Sequence, residues 1–362
     1  MESPVKETDL RRRAEQASRS PTPFWGWVLV ALAWLSIPTC AGAMKDGDES
    51  FIVLALLLWG AGILGGVVLL IGAAFMRSGL QGLLALLGSA VGFLAAMANF
   101  SYTRGRPLRR GLKVLLPEVA EGCGRSFMMA PSLDGLSPEA RRALAEEWLA
   151  DARMEHASVP SFAQMSMTLT ALAAPPELVV GAHRAALEEV DHAQRCFALA
   201  AAYSGTPLTA GPLPELLHPT FGETADKALL RLTGEALRDG ILLEGFAARV
   251  AAECARVTKD ATVKATLEVM ARDEASHAAF SLDVLEWCLA RGGSALAVKL
   301  REFLAHLPTP ISTARWVPGT AVAMEAHGRM SPSRQAVLFA DIRGEVIRVV
   351  NELVDARLRK AA

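Results

Sequence analysis

The chain has 362 residues, of which 52% are hydrophobic and 21% charged, with a formal net charge of −1. So apolar a composition excludes a wholly water-soluble enzyme and places part of the chain in lipid. The balanced charge excludes the electrostatic footprint of a nucleic-acid binder. Ala and Leu dominate over the 6% of aromatic residues, a bias toward helix and an all-α fold.

A polar, basic tail (residues 1–23) precedes three uncharged apolar runs, at 24–44, 51–76 and 80–100. Each reaches the roughly 20 residues that a helix needs to cross the hydrocarbon core, so three transmembrane helices are predicted. Trp25 and Trp27 stand at one end of the first run, as interface anchors do. That run is too long for a cleavable signal peptide, and a second apolar stretch follows closely. Lys and Arg do not orient the spans. The tail (Lys6, Arg11, Arg12, Arg13, Arg19) with Arg77 balances Lys45 with Arg104, Arg106, Arg109, Arg110 and Lys113, six against six. The lack of a disulfide pattern points the large domain toward the cytoplasm.

Residues 101–136 read as a linker. It carries Cys123 within Gly122-Cys123-Gly124-Arg125, a thiol with no neighbour that argues for a lowered pKa. The other cysteines, Cys40, Cys196, Cys254 and Cys288, fall in apolar helical segments. An odd count without CxxC spacing predicts buried free thiols, not a disulfide scaffold or a thiolate zinc site.

From Ser137-Pro138-Glu139, a helix-start signature, a first helix is predicted to residue 173, kinked at Pro160 and stopped by Pro175-Pro176. A second spans 177–204 and ends at Gly205. A connection containing Pro207, Pro212, Pro214 and Pro219 leads to a third helix over 224–257. A fourth follows over 260–291 and ends at Gly292-Gly293. Short turn, long crossover, short turn is the connectivity of a four-helix bundle built from two hairpins, over 137–293. Two amphipathic helices, 294–306 and 333–360, are expected to pack outside it.

Glu189-Val190-Asp191-His192 on the second helix and Glu274-Ala275-Ser276-His277 on the fourth both read Glu-x-x-His. Residues three apart share a helix face, so carboxylate and imidazole can grip one ion together. Each motif begins about 15 residues beyond a hairpin turn, which places the two at similar depth. Counting back from the turn near Lys259, Glu244 lies level with Glu274, whereas Glu235 and Glu253 do not. For the first hairpin the nearest match is Glu155, 19 residues before a turn centred near Ala174. Glu155, Glu189, His192, Glu244, Glu274 and His277 therefore form an approximate internal duplication. Four carboxylates buried without a cation would cost many kcal/mol, and a set rich in carboxylate and imidazole, without thiolate, suits iron or manganese.

With these residues in place, residues 139–291 resemble the ferritin-like di-iron carboxylate superfamily. The phrase Met154-Glu155-His156-Ala157-Ser158-Val159-Pro160 is similar to bacterial proteins described only as ferritin-like. The resemblance implies two iron ions, or a manganese–iron pair, and a setting in a bacterial inner membrane. It makes Glu189 and Glu274 bridging ligands, Glu155 and Glu244 terminal ligands, and gives each iron one of His192 and His277. Glu188 and Asp273 directly precede the bridging pair and are the residues most easily mistaken for ligands. With Asp151 and Asp239, a turn before the terminal glutamates, they are candidates for the shell behind the ligands. Asp151 and Asp239 could orient the histidines or form salt bridges. His156 and His183 point elsewhere on their helices, and Met165, Met167 and Met270 read as core filler.

The activity expected is that of a di-iron oxidoreductase acting on O2 or peroxide, the metal centre itself being the catalyst and no organic cofactor being implied. Iron binding or peroxide detoxification without an organic substrate is the second expectation; a structural membrane-anchored bundle with a vestigial site is the third. Cage-type storage fits poorly with three membrane spans. No rubredoxin-like Cys pairs mark an electron donor. Tyr203 lies 11 residues past His192, roughly 16 Å along the helix, too far for a radical partner. The lipid bilayer is the one macroscopic partner implied, and homodimerisation is left open.

Overall fold

Helix α1, Pro138–Ala171, starts where Ser137 Oγ accepts a hydrogen bond from the Ala140 amide at 3.2 Å. This cap satisfies one of the first-turn donors that a helix leaves open. The computed structural model describes residues 105–110, 113–122, 129–213, 216, 222–309 and 316–361. The basic tail and the apolar runs at 24–44, 51–76 and 80–100 lie outside the described residues. Among the described residues, no helix is long and apolar enough to cross a membrane. The chain divides into two compact units, residues 1–101 with 111–113 and residues 102–110 with 114–362; every described helix belongs to the second.

α1 continues through Pro160 and turns at Ala173 (φ 52°) into α2, Pro176–Ser204. α2 ends at Gly205, whose φ of 76° is the left-handed conformation that glycine adopts without a Cβ penalty. The crossover then contributes a short strand. β1, Val119–Glu121, pairs antiparallel with β2, Leu208–Ala210, with Val119 opposite Ala210. α3, Ala225–Glu235, is capped by Thr224 and runs into a π-helical stretch, Ala236–Glu244, which continues as α4, Gly245–Val257. A regular helix over 224–257 is therefore corrected: its ends agree, and its middle is wound one residue wider per hydrogen-bonded turn. α5, Ala261–Ala305, is capped by Asp260 and interrupted at Gly293 (φ 64°, ψ −154°), where the break was expected. α6, Ala321–Ala326, and α7, Pro332–Ala361, complete the described helices.

Helix α1 packs on α2, and α4 with the π stretch packs on α5. The two hairpins meet through α2 with α5 and α1 with α3. The interior they enclose holds Trp148, Phe162, Leu199, Leu232, Phe246 and Leu285, all fully buried. In α2 the buried positions Ala182, Ala185, Glu189, His192, Cys196, Leu199 and Tyr203 recur every three or four residues, the stripe of an amphipathic helix. α7 lies along α5 and α4 and adds Phe339, Val350 and Val354 to the core. Of the segment read as a linker, residues 105–110 and 114–122 form a strap on the bundle. The Leu108 amide donates to the Ala157 carbonyl at 2.8 Å, and Arg153 Nε donates to the Pro117 carbonyl at 2.9 Å.

Asp151 does not reach a histidine. The buried Arg329, just beyond α6, donates to Asp151 at 2.6 Å and to Glu147 at 2.8 Å and lies 4.8 Å over the Trp148 ring. Of the two options for Asp151, the salt bridge is the one taken. The pair ties the α6 loop to α1, and Arg329→Met removes this cation from both Glu147 and Asp151. Because Glu147 and Asp151 keep some solvent, the expected loss is about 2–3 kcal/mol, below the roughly 3–5 of a fully buried pair. Denaturant unfolding with unchanged helix content by circular dichroism measures it.

Candidate metal centre

The six predicted residues come together. Glu155 on α1, Glu189 and His192 on α2, Glu244 at the end of the π stretch, and Glu274 and His277 on α5 are all buried, Glu155 the least at 5% exposed. Their donor atoms fall into two sets, Glu155–Glu189–His192–Glu274 and Glu189–Glu244–Glu274–His277, each within 4.8 Å of one another. Glu189 and Glu274 belong to both. His192 Nδ1 stands 3.9 Å from Glu155, 3.7 Å from Glu189 and 3.4 Å from Glu274. His277 Nδ1 stands 3.3 Å from Glu189, 4.0 Å from Glu244 and 3.7 Å from Glu274. Both carboxylate oxygens of Glu189, Glu244 and Glu274, one of Glu155, and both Nδ1 atoms are buried without a hydrogen-bond partner. Orphaned oxygens converging with aimed imidazole nitrogens are unfavourable by several kcal/mol unless a cation sits among them. The cluster can hold metal ions, and its hard oxygen and imidazole donors fit them.

Helix register explains how Glu155 and Glu244 reach the cluster. Glu155 lies 16 residues before the end of α1 at Ala171, and His192 lies 16 after the start of α2 at Pro176. Glu244 lies 13 residues before Val257, and Glu274 lies 13 after Ala261. Thus Glu155 stands level with His192 of its hairpin, and Glu244 with Glu274 of its own.

Behind the donors, the other ring nitrogens are held by carboxylates. His192 Nε2 donates to Asp273 at 3.3 Å, and His277 Nε2 donates to Glu188 at 2.8 Å. Each acid belongs to the opposite helix, immediately before the glutamate of that helix that both donor sets share. Such a pairing fixes the tautomer that leaves Nδ1 free and turns the ring toward the site. Of the four acids proposed behind the ligands, Glu188 and Asp273 therefore orient the histidines. Asp239 does not: it pairs with Arg238 at 2.9 Å and with Arg109 at 3.4 Å. The repeated signal in the sequence was an acid before both motifs, Glu188-Glu189-x-x-His192 and Asp273-Glu274-x-x-His277.

Other candidates fall away from the cluster. The half-buried His156 belongs to neither donor set, and the exposed His183 bonds Ser166 Oγ at 2.8 Å. Tyr203 bonds His327 Nδ1 at 2.8 Å. Cys196 and Cys288 are buried free thiols, as expected, and Cys254 is buried as well. A cavity of about 20 Å³, lined by Trp148, Ala251, Met270, Glu155 and Glu274 among others, adjoins the Glu155 side. A groove of about 590 Å³ between α2 and α5 is lined by Val180, Arg184, Glu188, His277 and Phe280. Comparison of the chain with protein-family models, curated proteins and solved structures found no match.

In the metal-free chain, burial and the charges of Glu189 and Glu274 raise Glu155 well above the usual carboxylate range. Burial and Glu274 do the same to Glu244. Burial also pushes on Glu189 and Glu274, but the imidazoles of His192 and His277, and for Glu274 the Glu244 carboxyl, hold both below their ordinary value. His192 and His277 are raised well above theirs against burial, first by Asp273 and Glu188 and then by Glu189 and Glu274. Groups with raised values stabilise the metal-free fold at low pH, and that contribution is lost as pH rises through those values. A metal takes the deprotonated forms, so its binding displaces these protons. Adding Mn2+ to weakly buffered metal-free protein at pH 6.5 is expected to acidify the solution, and apparent affinity should rise with pH. Binding without proton release contradicts the assignment.

Proposed function

We propose that the chain is a membrane-anchored, ferritin-like dinuclear iron protein that acts as an oxidoreductase on O2 or peroxide. The observation that carries this reading is the pair of four-donor sets sharing Glu189 and Glu274, with their oxygens and Nδ1 atoms otherwise unpartnered. One glutamate from each of two helices and Glu-x-x-His from each of the other two is the ligand arrangement of ferritin-like di-metal bundles. One ion would be held by Glu155 and His192, the other by Glu244 and His277, with Glu189 and Glu274 bridging. A manganese–iron pair would use the same donors. The uncharged runs at 24–44, 51–76 and 80–100 support anchoring in a bilayer.

When bound, two iron ions supply the electrons for two-electron reduction of a small oxidant. The protein's part is to bind, orient and enclose. Glu188 and Asp273 hold the two imidazoles with Nδ1 inward. Trp148, Ala251, Leu267 and Met270 keep the Glu155 side dry, and the cavity of about 20 Å³ there has room for a water or a diatomic molecule. That size favours a small oxidant acting without an organic substrate at this position, the peroxide-consuming variant of the reading. Glu188 and His277 both line the 590 Å³ groove, so the hydrogen bond between them lies at its wall.

Anaerobic titration is expected to load two Fe2+ per chain, and O2 or hydrogen peroxide is then expected to oxidise both. Glu189→Ala and Glu274→Ala should abolish tight binding of both ions, whereas Glu155→Ala and Glu244→Ala should each cost one. Fewer than two ions in the unaltered chain, or full binding in the Glu189 and Glu274 variants, sinks the proposal. Two bound ions indifferent to either oxidant would point to a structural bundle.

A further inference from the structure

Glu244 is the last residue of the π stretch, so its direction depends on how that stretch is wound. π-helical turns are rare and usually single. This one extends over nine residues, which calls for support from its surroundings. Two features supply it. Gly240, in the middle, lets Ser281 approach so closely that a Cβ would stand 2.1 Å from its Oγ. The strap supplies the other. Arg106, 1% exposed, donates from one guanidinium nitrogen to the Glu235 carbonyl at 3.3 Å and from another to the Glu235 carboxylate at 3.4 Å. Arg109 donates to Asp239 at 3.4 Å. Glu235 immediately precedes the π stretch and Asp239 lies one turn into it, so the two arginines grip its first turn from outside. The Arg106 guanidinium also lies 5.5 Å over Phe162, whose ring meets His277 edge-on at 5.1 Å. Beside it, a Cβ on Gly105 would stand 3.9 Å from Glu244 Oε2. The strap thus grips the beginning of the stretch and passes beside the glutamate at its end.

We infer that Arg106 and Arg109 are positioning residues for the Glu244–His277 half of the centre, acting through the π stretch. This rests on the dimetal reading above. Without the two ion pairs the stretch relaxes toward α-helical winding, and one residue of register turns Glu244 by about 100° away from His277. The Glu155–His192 half is carried by α1 and α2 and does not depend on the strap.

The test is Mn2+ binding to the full-length chain under anaerobic conditions, read by stoichiometry and by electron paramagnetic resonance, which distinguishes a spin-coupled pair from a lone ion. The unaltered chain is expected to bind two coupled ions. In the Arg106→Ala/Arg109→Ala double variant the first ion should bind as before, while the second weakens at least about tenfold, the scale seen when groups behind metal ligands are removed. The coupled spectrum then gives way to that of a single ion, and Arg106→Lys with Arg109→Lys restores most of the second site. If the alanine variant does not fold by circular dichroism, Arg106→Gln and Arg109→Gln, made singly, carry the same measurement. An unchanged second site, or equal weakening of both, overturns the inference. Fewer than two ions in the unaltered chain overturns the dimetal reading itself, and this inference with it.

Discussion

Four carboxylates buried within one apolar bundle are the constraint on which the rest of this structure depends. Oxygens of Glu155 and of Glu244 each lie within 4.8 Å of oxygens of Glu189 and Glu274, among buried apolar side chains. Like charges at that distance cannot all ionise without compensation. Burial and mutual repulsion push Glu155 and Glu244 toward the protonated form, whereas the imidazoles of His192 and His277 pull Glu189 and Glu274 the other way. The two glutamates held low are the two that belong to both donor sets.

The surrounding elements serve this cluster in ways that differ between its halves. On the Glu155 side, two regular helices bring carboxylate and imidazole level. On the Glu244 side, the glutamate arrives from an irregular segment held by residues far away in sequence. The reciprocal pairing of His192 with Asp273 and His277 with Glu188 restores symmetry one layer out, because each acid is fixed by the helix that also carries one of the two shared glutamates. Moving either helix would disturb that glutamate and the orientation of the opposite histidine together.

Much of this was legible in the sequence, and the exceptions have physical reasons. The Glu-x-x-His pairs are local features, and three-residue spacing survives any arrangement of the helices. Glu244 was placed correctly by counting from the turn near Lys259 because that count runs only through α4, which is regular. Asp239 lies further back, inside the π stretch, where α-helical counting fails, and it faces Arg238 and Arg109 instead of a histidine. Asp151 was drawn to Arg329, a partner 178 residues away that no local spacing reveals. The strap has no periodicity at all, so Gly105 and Arg106 read as linker although they are buried against the site. The three apolar runs are evident in the sequence but lie outside the described residues.

The central claim is that Glu189 and Glu274 bridge two ions. Anomalous scattering from crystals soaked with Mn2+ addresses it most directly, because it locates each ion relative to named side chains. The account predicts two peaks about 3.5–4 Å apart, the separation of paired-metal sites, with Glu189 and Glu274 between them and one histidine Nδ1 on each. A single peak, or two peaks with either glutamate bound to only one, would contradict it.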